Sequence, residues 1–498
     1  MRTFYEEIYN IIRKSSALCY KYYEDERFYP EFYENVLKLN SVLYLYKKKR
    51  ITLYTDKSFE SYCSVFAILL SGNTWVPVNP AFPEGRNLDI LGITDPDLIV
   101  TDCVLPEKMG AFAVEHDIPI INIKSILQEE NKKDLVLGEF DRDDIAYIMF
   151  TSGSTGEPKG VPVTHNNYIN FVRNAIEILP FQRREVFSDF HDLGFDISIF
   201  YLFCAVLTES ALAPILKNEH RFFPLDNIVN NNITVWSSVP SVVSRIMMLR
   251  PEEEIDTSLK IVFLCGEPFR LDILKYCYEN MRIKNVYNFY GLTETGVENF
   301  YHPCKPGDIQ RFDEFGYVPI GKPLKGNTIK ITKDRELLIS GSQVTPGYLK
   351  GVGRDRFENI AGKTWFRTGD IVEKYEDVYF CKGRLDTQVK ISGYRVELMD
   401  VENLIKKYST LQEAICFLDN ENDQKRLICA VQPEEGKDVD FPEISKVIKD
   451  KLPDYMIPRK YYIIEKMPIN ENGKIDRKAI QNLYSEINEG SIYTNRIM

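Results

Sequence analysis

The stretch IAYIMFTSGSTGEPKG at residues 145–160 decides how this sequence is interpreted. Its apolar first half predicts a buried strand, and the glycine-, serine- and threonine-rich segment that follows predicts a tight loop. Glycine lets the backbone approach a ligand closely, and successive backbone N–H groups form an anion nest. With Lys159 as a nearby positive charge, the loop suits a phosphate. The ordinary nucleotide-binding pattern GxxxxGK[ST] does not fit, because no glycine here precedes Lys and then Ser or Thr.

The composition indicates a soluble protein that acts on small molecules. Of 498 residues, 44% are hydrophobic and 27% are charged, and the formal net charge of -11 disfavours a general nucleic-acid binder. The ten cysteines form no CxxC pair, the N-terminal MRTFYEEIYN lacks the apolar stretch of a signal peptide, and the run ISIFYLFCAVL is too short to span a bilayer. We therefore expect a cytoplasmic enzyme with reduced thiols and no membrane span.

Strand-like and helix-like runs alternate along most of the chain. From about residue 50, ITLYT, WVPVN, LIVTD and IAYIMFT alternate with SYCSVFAILLSG and HNNYINFVRNAIEIL, and the alternation continues to NVYNFYG. This order predicts a mostly parallel sheet flanked by helices. An amphipathic helix is expected over residues 3–22. The predicted fold class is a large N-terminal α/β domain with mixed sheets flanked by helices.

The pattern changes after roughly residue 325. Short β-type runs with glycines, among them ELLISGSQVTPGYL and WFRTGDIV, predict a β-rich subdomain of the large domain. From about Asp386 the order reads strand, strand, helix, strand, helix, strand, which predicts a small α+β C-terminal domain joined by a hinge. The boundary is expected inside KGRLDTQVK, which gives domains at 1–385 and 386–498.

Motifs over residues 50–480 resemble one enzyme superfamily. YIMFTSGSTGEPKGVPVTH is accompanied by LLSGNTWVPVNPAFPEGR, NFYGLTETG, WFRTGDIV, GRLDTQVKISGYRVEL and PINENGKIDRKAI. Together they resemble the adenylate-forming enzymes, which include acyl-CoA ligases, luciferases and the adenylation domains of nonribosomal peptide synthetases. The sequence is most similar to free-standing amino-acid ligases of the D-alanine–carrier protein and prolyl–carrier protein types. The resemblance implies that a carboxylate attacks the α-phosphate of ATP, releasing pyrophosphate, and that a thiol then takes the acyl group.

The resemblance also implies roles for individual residues in this chemistry. Lys474 would reach the substrate carboxylate and the α-phosphate, Glu294 would bind Mg²⁺, and Thr151 would complete the catalytic set. Tyr290 would stack on adenine and Asp370 would accept the ribose hydroxyls. The full set expected to contact ATP is Thr151, Ser152, Gly153, Ser154, Thr155, Gly156, Lys159, Gly266, Glu267, Pro268, Asn288, Phe289, Tyr290, Gly291, Thr293, Asp370, Arg384 and Lys474.

A hinge is implied at Asp386, in GRLDTQ. A hinge residue absorbs the backbone change between two poses of a mobile domain. In one pose Lys474 would reach the first domain. In the other, KISGYR would line a tunnel for a pantetheine arm, with Gly393 leaving room for the thiol.

Asp196, in FDIS, bears most directly on which acid is activated. In amino-acid-activating relatives an aspartate at this place pairs with the substrate ammonium group. Its alternative role is an N-cap carboxylate at the start of the following helix. Just upstream, HDLG at 191–194 resembles a string of fatty-acyl-AMP ligases, so two registers compete, and the amino-acid register fits FDISIFYLFCAVL better.

The expected substrate pocket combines residues from five separate segments of the sequence. Phe263 and Phe289 would shorten it and favour a small amino acid such as alanine, glycine, serine or proline. A buried Glu298 would have to be paired, and it could select a hydroxyl or an amine. The whole pocket comprises Phe195, Asp196, Ile197, Phe200, Ser237, Phe263, Cys265, Phe289, Val297 and Glu298.

The expected acceptor is the phosphopantetheine thiol of a separate carrier protein. No GxxS carrier segment or HHxxxDG condensation motif is present in the sequence, which favours a free-standing enzyme. Free coenzyme A remains the competing thiol. Two alternatives stay open: a fatty-acyl or other acyl ligase on the same core, and a catalytically silent scaffold that binds a partner.

Overall fold

The computed structural model describes residues 2–130, 134–151, 158–391, 393–407, 411–421, 424–434, 437, 439–469 and 475–488. It divides into two compact units. The first comprises Met1–Ala81, Ile90–Phe150 and Gly160–Leu385, and the second comprises Phe82–Asp89, Thr151–Lys159 and Asp386–Met498.

The helices are mostly short and amphipathic. They are α1 (Arg2–Lys14), α2 (Tyr29–Leu43), α3 (Phe59–Leu70), α4 (Glu84–Thr94), α5 (Glu107–Glu115), α6 (Ile123–Gln128), α7 (His165–Ile178), α8 (Ser198–Leu207), α9 (Asn218–Phe222), α10 (Leu225–Asn230), α11 (Pro240–Leu249), α12 (Leu271–Glu279), α13 (Asp308–Arg311), α14 (Leu398–Lys407), α15 (Phe441–Lys451) and α16 (Arg477–Asn488). None of the helices in the described part of the chain has the length and apolar character that a membrane crossing requires.

The strands alternate with these helices over most of the first 300 residues, follow one another without an intervening α-helix from β15 to β22, and alternate with helices again after β22. They are β1 (Leu18–Tyr22), β2 (Asp25–Phe28), β3 (Arg50–Tyr54), β4 (Thr74–Val78), β5 (Leu98–Thr101), β6 (Ile120–Asn122), β7 (Ile145–Thr151), β8 (Lys159–Thr164), β9 (Val186–Asp189), β10 (Ala211–Pro214), β11 (Val235–Ser238), β12 (Ile261–Leu264), β13 (Asn285–Tyr290), β14 (Phe300–Pro303), β15 (Lys322–Pro323), β16 (Asn327–Ile331), β17 (Glu336–Gly341), β18 (Phe357–Ile360), β19 (Lys363–Tyr375), β20 (Val378–Arg384), β21 (Gln388–Ile391), β22 (Tyr394–Glu397), β23 (Leu411–Glu421), β24 (Gln424–Pro433) and β25 (Lys460–Ile463).

The first unit contains two mainly parallel sheets and one antiparallel sheet. The larger sheet has the order β15-β14-β13-β12-β11-β9-β10-β1-β2, with parallel pairing from β13 to β1 and antiparallel strands at both ends. The second has the order β6-β5-β3-β4-β7-β8. Strands β16 to β20 form the antiparallel sheet. The predicted alternation of strands and helices, followed by a β-rich segment, is confirmed.

A shared core joins the two parallel sheets. Helices α3 (FESYCSVFAILL) and α8 (SIFYLFCAVL) are buried around nearly their whole circumference, as expected for helices that are apolar on every side. They pack with residues of both sheets in one hydrophobic cluster. The opposite face of the larger sheet carries Trp236, Val262 and Val286 against α11 and α12. This alternation along β11 to β13 fixes which side chains face each layer.

The expectation of one helix over residues 3–22 is wrong. Helix α1 ends at Lys14, and Leu18–Tyr22 is strand β1, in which Tyr20 pairs with Leu212 of β10. Two consecutive serines, Ser15 and Ser16, interrupt the helical pattern, and Ser15 is a favourable residue for a helix end because its hydroxyl competes for backbone hydrogen bonds. The following aromatic residues complete the edge of the larger sheet.

The second unit contains a β-hairpin and a small α+β core. β21 and β22 form the hairpin, β23 and β24 pair antiparallel, and β25 pairs parallel to β24. The predicted order missed one strand and the last helix. The segment LQEAICFLDNENDQKRLICAVQP contains two strands, because its polar centre interrupts two apolar runs that can pair with each other.

A buried polar triad links α1 to α7 in the first unit. The hydroxyl of Tyr5 lies 2.6 Å from Nδ1 of His165 and 2.5 Å from the hydroxyl of Tyr168. Burial lowers the pKa of His165 to about 4, although the charge of Asp144 acts in the opposite direction. The imidazole therefore remains neutral at pH 7, and its unprotonated nitrogen can accept the Tyr5 hydrogen bond.

We expect His165 to make the first unit less stable in acid. Because the folded pKa lies below the unfolded value, the unfolded state takes up the proton first as the pH falls below about 6.5, and stability decreases. Between pH 7 and pH 5 the loss through His165 should be about 2 kcal/mol. Urea unfolding can be followed by the fluorescence of Trp75, Trp236 and Trp365, which all belong to the first unit.

The comparison is between wild type and His165→Phe at the two pH values. The variant should lose about 2 kcal/mol of the pH-dependent difference. The exposed His116 provides the control as His116→Gln, which should keep the wild-type dependence. An unchanged dependence in His165→Phe would contradict the assignment.

Candidate active site

Several predicted site residues lie at one edge of the larger sheet. Strands β11, β12 and β13 are consecutive and parallel, with Ser237 opposite Phe263 and Leu264 opposite Asn288. The carboxyl ends of parallel strands meet at one edge, where α/β proteins commonly bind ligands. The structure therefore brings together predicted residues from separate motifs, namely Ser237, Cys265, Gly266, Glu267, Pro268, Asn288, Phe289, Tyr290 and Gly291.

A stack of aromatic rings forms an apolar floor on one face of these strands. The ring centroid of Phe200 in α8 lies 4.5 Å from that of Phe263, which lies 4.1 Å from that of Phe289. All three rings are buried in the core, together with Ile197 and Val297. The hydroxyl of Ser237 is buried beside this floor without a hydrogen-bond partner among the described residues. The floor is rigid because its rings pack on one another.

Asp196 lies in the loop between β9 and α8. Its Oδ2 accepts a hydrogen bond of 2.6 Å from the hydroxyl of Thr293, and its side chain is half-buried. The N-cap position of α8 is occupied by Ile197, without a side-chain capping bond. Burial, and next the charge of Asp196, hold the pKa of the Tyr147 phenol well above its usual value. Asp196 is thus connected to the turn after β13.

That turn, Thr293–Thr295, is a short 3₁₀ helix that carries Glu294. Glu294 is 1% exposed, and its Oε1 accepts a hydrogen bond of 2.6 Å from the hydroxyl of Tyr348. The turn ends at Gly296, which has a left-handed backbone with φ of 66°. Val297 follows with φ of 82°, an uncommon conformation for a β-branched residue. Strain of this kind persists only where neighbouring groups fix the backbone.

Gln343 supplies much of that fixation. Its Nε2 donates hydrogen bonds to the carbonyls of Gly296 (3.0 Å) and Glu298 (2.7 Å), and Gln343 is fully buried. The amide of Thr345 donates to the carbonyl of Glu294. Sequence reasoning assigned no role to Gln343 or Tyr348, although both lie in ELLISGSQVTPGYL, one of the runs that predict the β-rich subdomain. The sequence feature that could have identified them is a polar and an aromatic residue shortly after a buried strand.

Gly291 is required by the close approach of this turn. A Cβ atom at position 291 would lie 2.0 Å from the carbonyl oxygen of Val297 and 2.4 Å from the Cα of Glu298. Both obstacles are backbone atoms, so a larger residue would displace the turn rather than a flexible side chain. The position of Glu294 and Glu298 therefore depends on the absence of a side chain at Gly291.

Asn288, one of the residues expected to contact ATP, has a buried acceptor. Its Nδ2 donates to the carbonyl of Pro319 at 2.9 Å, whereas its Oδ1 is buried with no hydrogen-bond partner among the described residues. A purine amino group is a donor that suits this oxygen. Glu267 has a structural contact as well, since its Oε2 accepts from the backbone N–H of Ser241 in the first turn of α11. Gly266 has φ of 80°.

Asp370 holds two other predicted nucleotide residues. Its Oδ2 accepts from the hydroxyl of Tyr290 at 2.5 Å, and its Oδ1 accepts from Nη1 of Arg384 at 2.7 Å. Burial, followed by the Asp370 charge, raises the pKa of Tyr290 well above its usual value. Each carboxylate oxygen has more than one acceptor position, so Asp370 can accept further hydroxyl donors.

The remaining predicted residues belong to other elements or lie outside the described part of the chain. Thr151 is the last residue of β7, and its hydroxyl is buried without a hydrogen-bond partner among the described residues. Lys159 begins β8, and Asp386 accepts from the backbone N–H of Gln388. Phe195 is half-buried beside the core. The predicted residues outside the described ranges are Ser152, Gly153, Ser154, Thr155, Gly156 and Lys474.

The Glu294 carboxylate suits a magnesium ion that takes most of its other contacts from phosphate oxygens and water. Within the described ranges, no group of three or more His, Cys, Asp or Glu side chains could hold a metal by itself. Mg²⁺ is commonly bound by one or two carboxylates plus phosphate oxygens and water. The buried Glu294 carboxylate, fixed by Tyr348, fits that mode of binding.

Two models of known protein families together match most of the chain. A model of the AMP-binding enzyme family matches residues 13–349, and a model of the AMP-binding enzyme C-terminal domain matches residues 400–474. A D-alanine–D-alanyl carrier protein ligase of Staphylococcus epidermidis is 28% identical over 475 residues, covering 93% of this chain and 95% of that protein. Bacitracin synthase 1 of Bacillus licheniformis is 28% identical over 443 residues, which is 86% of this chain but 8% of that protein.

The fold is shared with a solved adenylation domain. AlmE of Vibrio cholerae, crystallised with glycyl-adenosine-5'-phosphate, superposes with a TM-score of 0.81 at 22% identity, covering 97% of this chain and 98% of that one. The resemblance drawn from the sequence motifs and the predicted fold class are both confirmed.

We expect Gly291→Ala to disrupt the candidate site. The added methyl group must displace the Val297 backbone, and overpacking of this kind typically costs ~1–3 kcal/mol. ATP–pyrophosphate exchange should fall by more than about tenfold, since a displacement of this size moves Glu294. Gly307→Ala is the matched control, because a Cβ at Gly307 meets nothing within 4 Å and its φ is -66°. Normal exchange and normal thermal stability in Gly291→Ala would contradict the close packing.

Proposed function

Because this chain belongs to the AMP-binding enzyme family and is an ATP-dependent adenylating ligase, we propose that it activates a small amino acid as its aminoacyl-adenylate. Pyrophosphate leaves, and the aminoacyl group passes to the phosphopantetheine thiol of a carrier protein. The observation that carries this proposal is the 2.6 Å hydrogen bond between Thr293 and Asp196, which joins the carboxylate proposed to bind the ammonium group to the turn bearing Glu294.

Asp196 supports an amino acid rather than a fatty acid as substrate. A half-buried carboxylate at the edge of the strands provides a partner for an ammonium group, and charge-assisted hydrogen bonds are about twice as strong as neutral ones. A fatty acid has no group that would compensate this charge. In the competing register, His191 and Asp192 of HDLG are engaged within the fold: the His191 carbonyl accepts from Tyr201, and Asp192 pairs with Arg221.

The aromatic floor supports a short side chain. Phe200, Phe263 and Phe289 fill the space on that face of the strands, so a long acyl chain would have to separate packed rings. Glu298 is 5% exposed beside them and offers a carboxylate to a substrate hydroxyl or amine. The Staphylococcus relative is named for D-alanine, a substrate of the size that this pocket favours.

The nucleotide would be recognised by two side chains whose buried oxygen atoms can accept hydrogen bonds. Asn288 would accept from the adenine amino group, and Asp370 would accept from the ribose hydroxyls. Glu294 would hold Mg²⁺, which neutralises charge on the phosphates when it is bound. Positioning and preorganised charge are the main sources of catalysis for this class of transfer. Lys474, Thr151 and the loop from Ser152 to Gly156 are proposed to complete this set.

A panel of carboxylic acids in ATP–pyrophosphate exchange tests the proposal. Glycine, L-alanine, D-alanine, L-serine and L-proline are compared with a medium-chain and a long-chain fatty acid, and at least one small amino acid should stimulate exchange. The activated amino acid should then load a phosphopantetheinylated carrier protein in preference to coenzyme A. Exchange with fatty acids alone would overturn the proposal, and no exchange with any acid would favour a silent scaffold.

In the same assay, Asp196→Asn should weaken use of the amino acid by ~10²-fold while the KM for ATP changes little. Losing one partner of a charge-assisted contact costs several kcal/mol, and of the two substrates only the amino acid is proposed to contact Asp196. Asp313→Asn, at an exposed position, is the control. Equal loss of amino-acid and ATP binding would show that Asp196 is only structural.

Glu294→Gln should raise the Mg²⁺ concentration needed for half-maximal exchange. The amide keeps the size of the side chain and can remain near Tyr348, but it removes the negative charge that a hard cation prefers. Titration of Mg²⁺ at saturating ATP measures the shift, expected to be about tenfold or more. Glu314→Gln, which alters an exposed glutamate, serves as control. An identical Mg²⁺ dependence in Glu294→Gln and wild type would rule out the assignment.

A further inference from the structure

The loop that carries Asp196 is held by a second group of polar residues, away from the substrate floor. This loop runs from the end of β9 at Asp189 to the start of α8 at Ser198. We call this group the loop anchor. It comprises three residues of the loop and the four residues that contact them, namely Asp189, His191 and Asp192 with Lys57, Tyr62, Tyr201 and Arg221.

A buried ion pair forms the start of the anchor. Asp189 is 0% exposed, and its Oδ1 lies 3.0 Å from Nζ of Lys57, whose side chain is 2% exposed. Nζ also donates to the Asp189 carbonyl at 2.8 Å, and the Tyr62 hydroxyl donates to Oδ2. Lys57 therefore contacts both the carboxylate and the backbone carbonyl of Asp189, the residue at which the loop leaves the sheet.

The next residues of the loop are held one after another. The Tyr201 hydroxyl donates to the His191 carbonyl at 2.6 Å, and Nη2 of Arg221 lies 2.7 Å from Oδ1 of Asp192. The Ser198 hydroxyl donates to the Leu193 carbonyl at 3.2 Å. Contacts from α3, α8 and α9 thus restrain positions 189, 191, 192 and 193, and only then does the chain reach Asp196.

A buried ion pair is a costly way to stabilise a fold. Removing two charges from water commonly offsets their attraction, and replacing such a pair by apolar residues of similar size is often neutral or stabilising. Directional contacts to a backbone carbonyl, by contrast, define where a loop lies. The loop anchor therefore suits a role in positioning the loop better than a role in stabilising the fold. The ammonium contact of Asp196 requires such geometry, since a displacement of about 1 Å can lower activity substantially.

We propose that Lys57, Asp189 and Tyr201 are positioning residues, which fix the loop so that Asp196 faces the ammonium group of the substrate. The inference rests on the proposed role of Asp196. It adds that amino-acid recognition depends on a polar cluster that does not itself touch the substrate.

Tyr201→Phe gives the most conservative test. It removes the oxygen that holds the His191 carbonyl and keeps the ring in the core. In ATP–pyrophosphate exchange with the five small amino acids named above, the amino-acid KM should rise about five- to tenfold while the KM for ATP stays unchanged, which is the size expected from one hydrogen bond. Tyr29→Phe is the matched control, because its buried hydroxyl donates to the Ser210 carbonyl, outside the loop.

A double-mutant cycle with Asp196→Asn separates positioning from general damage. If Tyr201 acts through Asp196, Tyr201→Phe should cause no further loss in the Asp196→Asn background. Tyr29→Phe should have little effect in either background. Independent losses that multiply in the double variant would overturn the positioning role. A normal amino-acid KM in Asp196→Asn alone would instead show that the proposed role of Asp196 fails.

A triple variant tests the ion pair without leaving a buried charge. Lys57→Met, Tyr62→Phe and Asp189→Leu together replace the polar centre of the anchor with apolar groups of similar size. We expect thermal stability equal to or above wild type, with an amino-acid KM raised at least tenfold and an unchanged KM for ATP. A folded triple variant with a wild-type amino-acid KM would overturn the proposal. If the triple variant does not fold, the anchor is a stability element and the proposal is likewise overturned for the ion pair.

Discussion

The backbone of Gly291 lies against that of Val297 and Glu298 with no space for a side chain, and the candidate site depends on this contact. It folds the chain back directly after β13 and places Glu294 and Thr293 at the carboxyl edge of the parallel strands. Gln343 keeps the turn in place by bonding to its carbonyls. A strained residue, Val297, is thereby stabilised by groups from a distant part of the sequence.

From this turn, polar contacts extend in two directions. Thr293 reaches Asp196, in the loop before α8, and Tyr348 reaches Glu294 from the segment after β17. Phe200, Phe263 and Phe289 provide the apolar surface next to them. The site therefore combines charges that need fixed partners with rings that need only close packing. This division matches the chemistry proposed for it, in which an amino acid has one charged end to recognise and a small side chain to enclose.

Membership of the AMP-binding enzyme family fits the proposal that a nucleotide and a carboxylic acid bind at this edge of the fold. The proposed activation of a small amino acid rests on Asp196 and on the aromatic floor. The loop anchor is proposed to fix the position of Asp196 as well. Its buried ion pair between Lys57 and Asp189 restrains the end of β9, where the loop that carries Asp196 begins.

The sequence by itself determined the alternation of strands and helices, the β-rich segment and the enzyme family, because hydrophobic periodicity and contiguous motifs are local properties of the chain. It misjudged residues 15–22, where β1 pairs with both β2 and β10, and it missed the pairing of β23 with β24. Only the tertiary structure decided that Thr293 contacts Asp196, that Gln343 fixes the turn and that Lys57 meets Asp189. These partners are separated by 97, 47 and 132 positions, the second value being that of Gln343 and Gly296. A sequence carries no signal for such pairs, since burial and hydrogen-bond geometry arise only when the distant segments pack together.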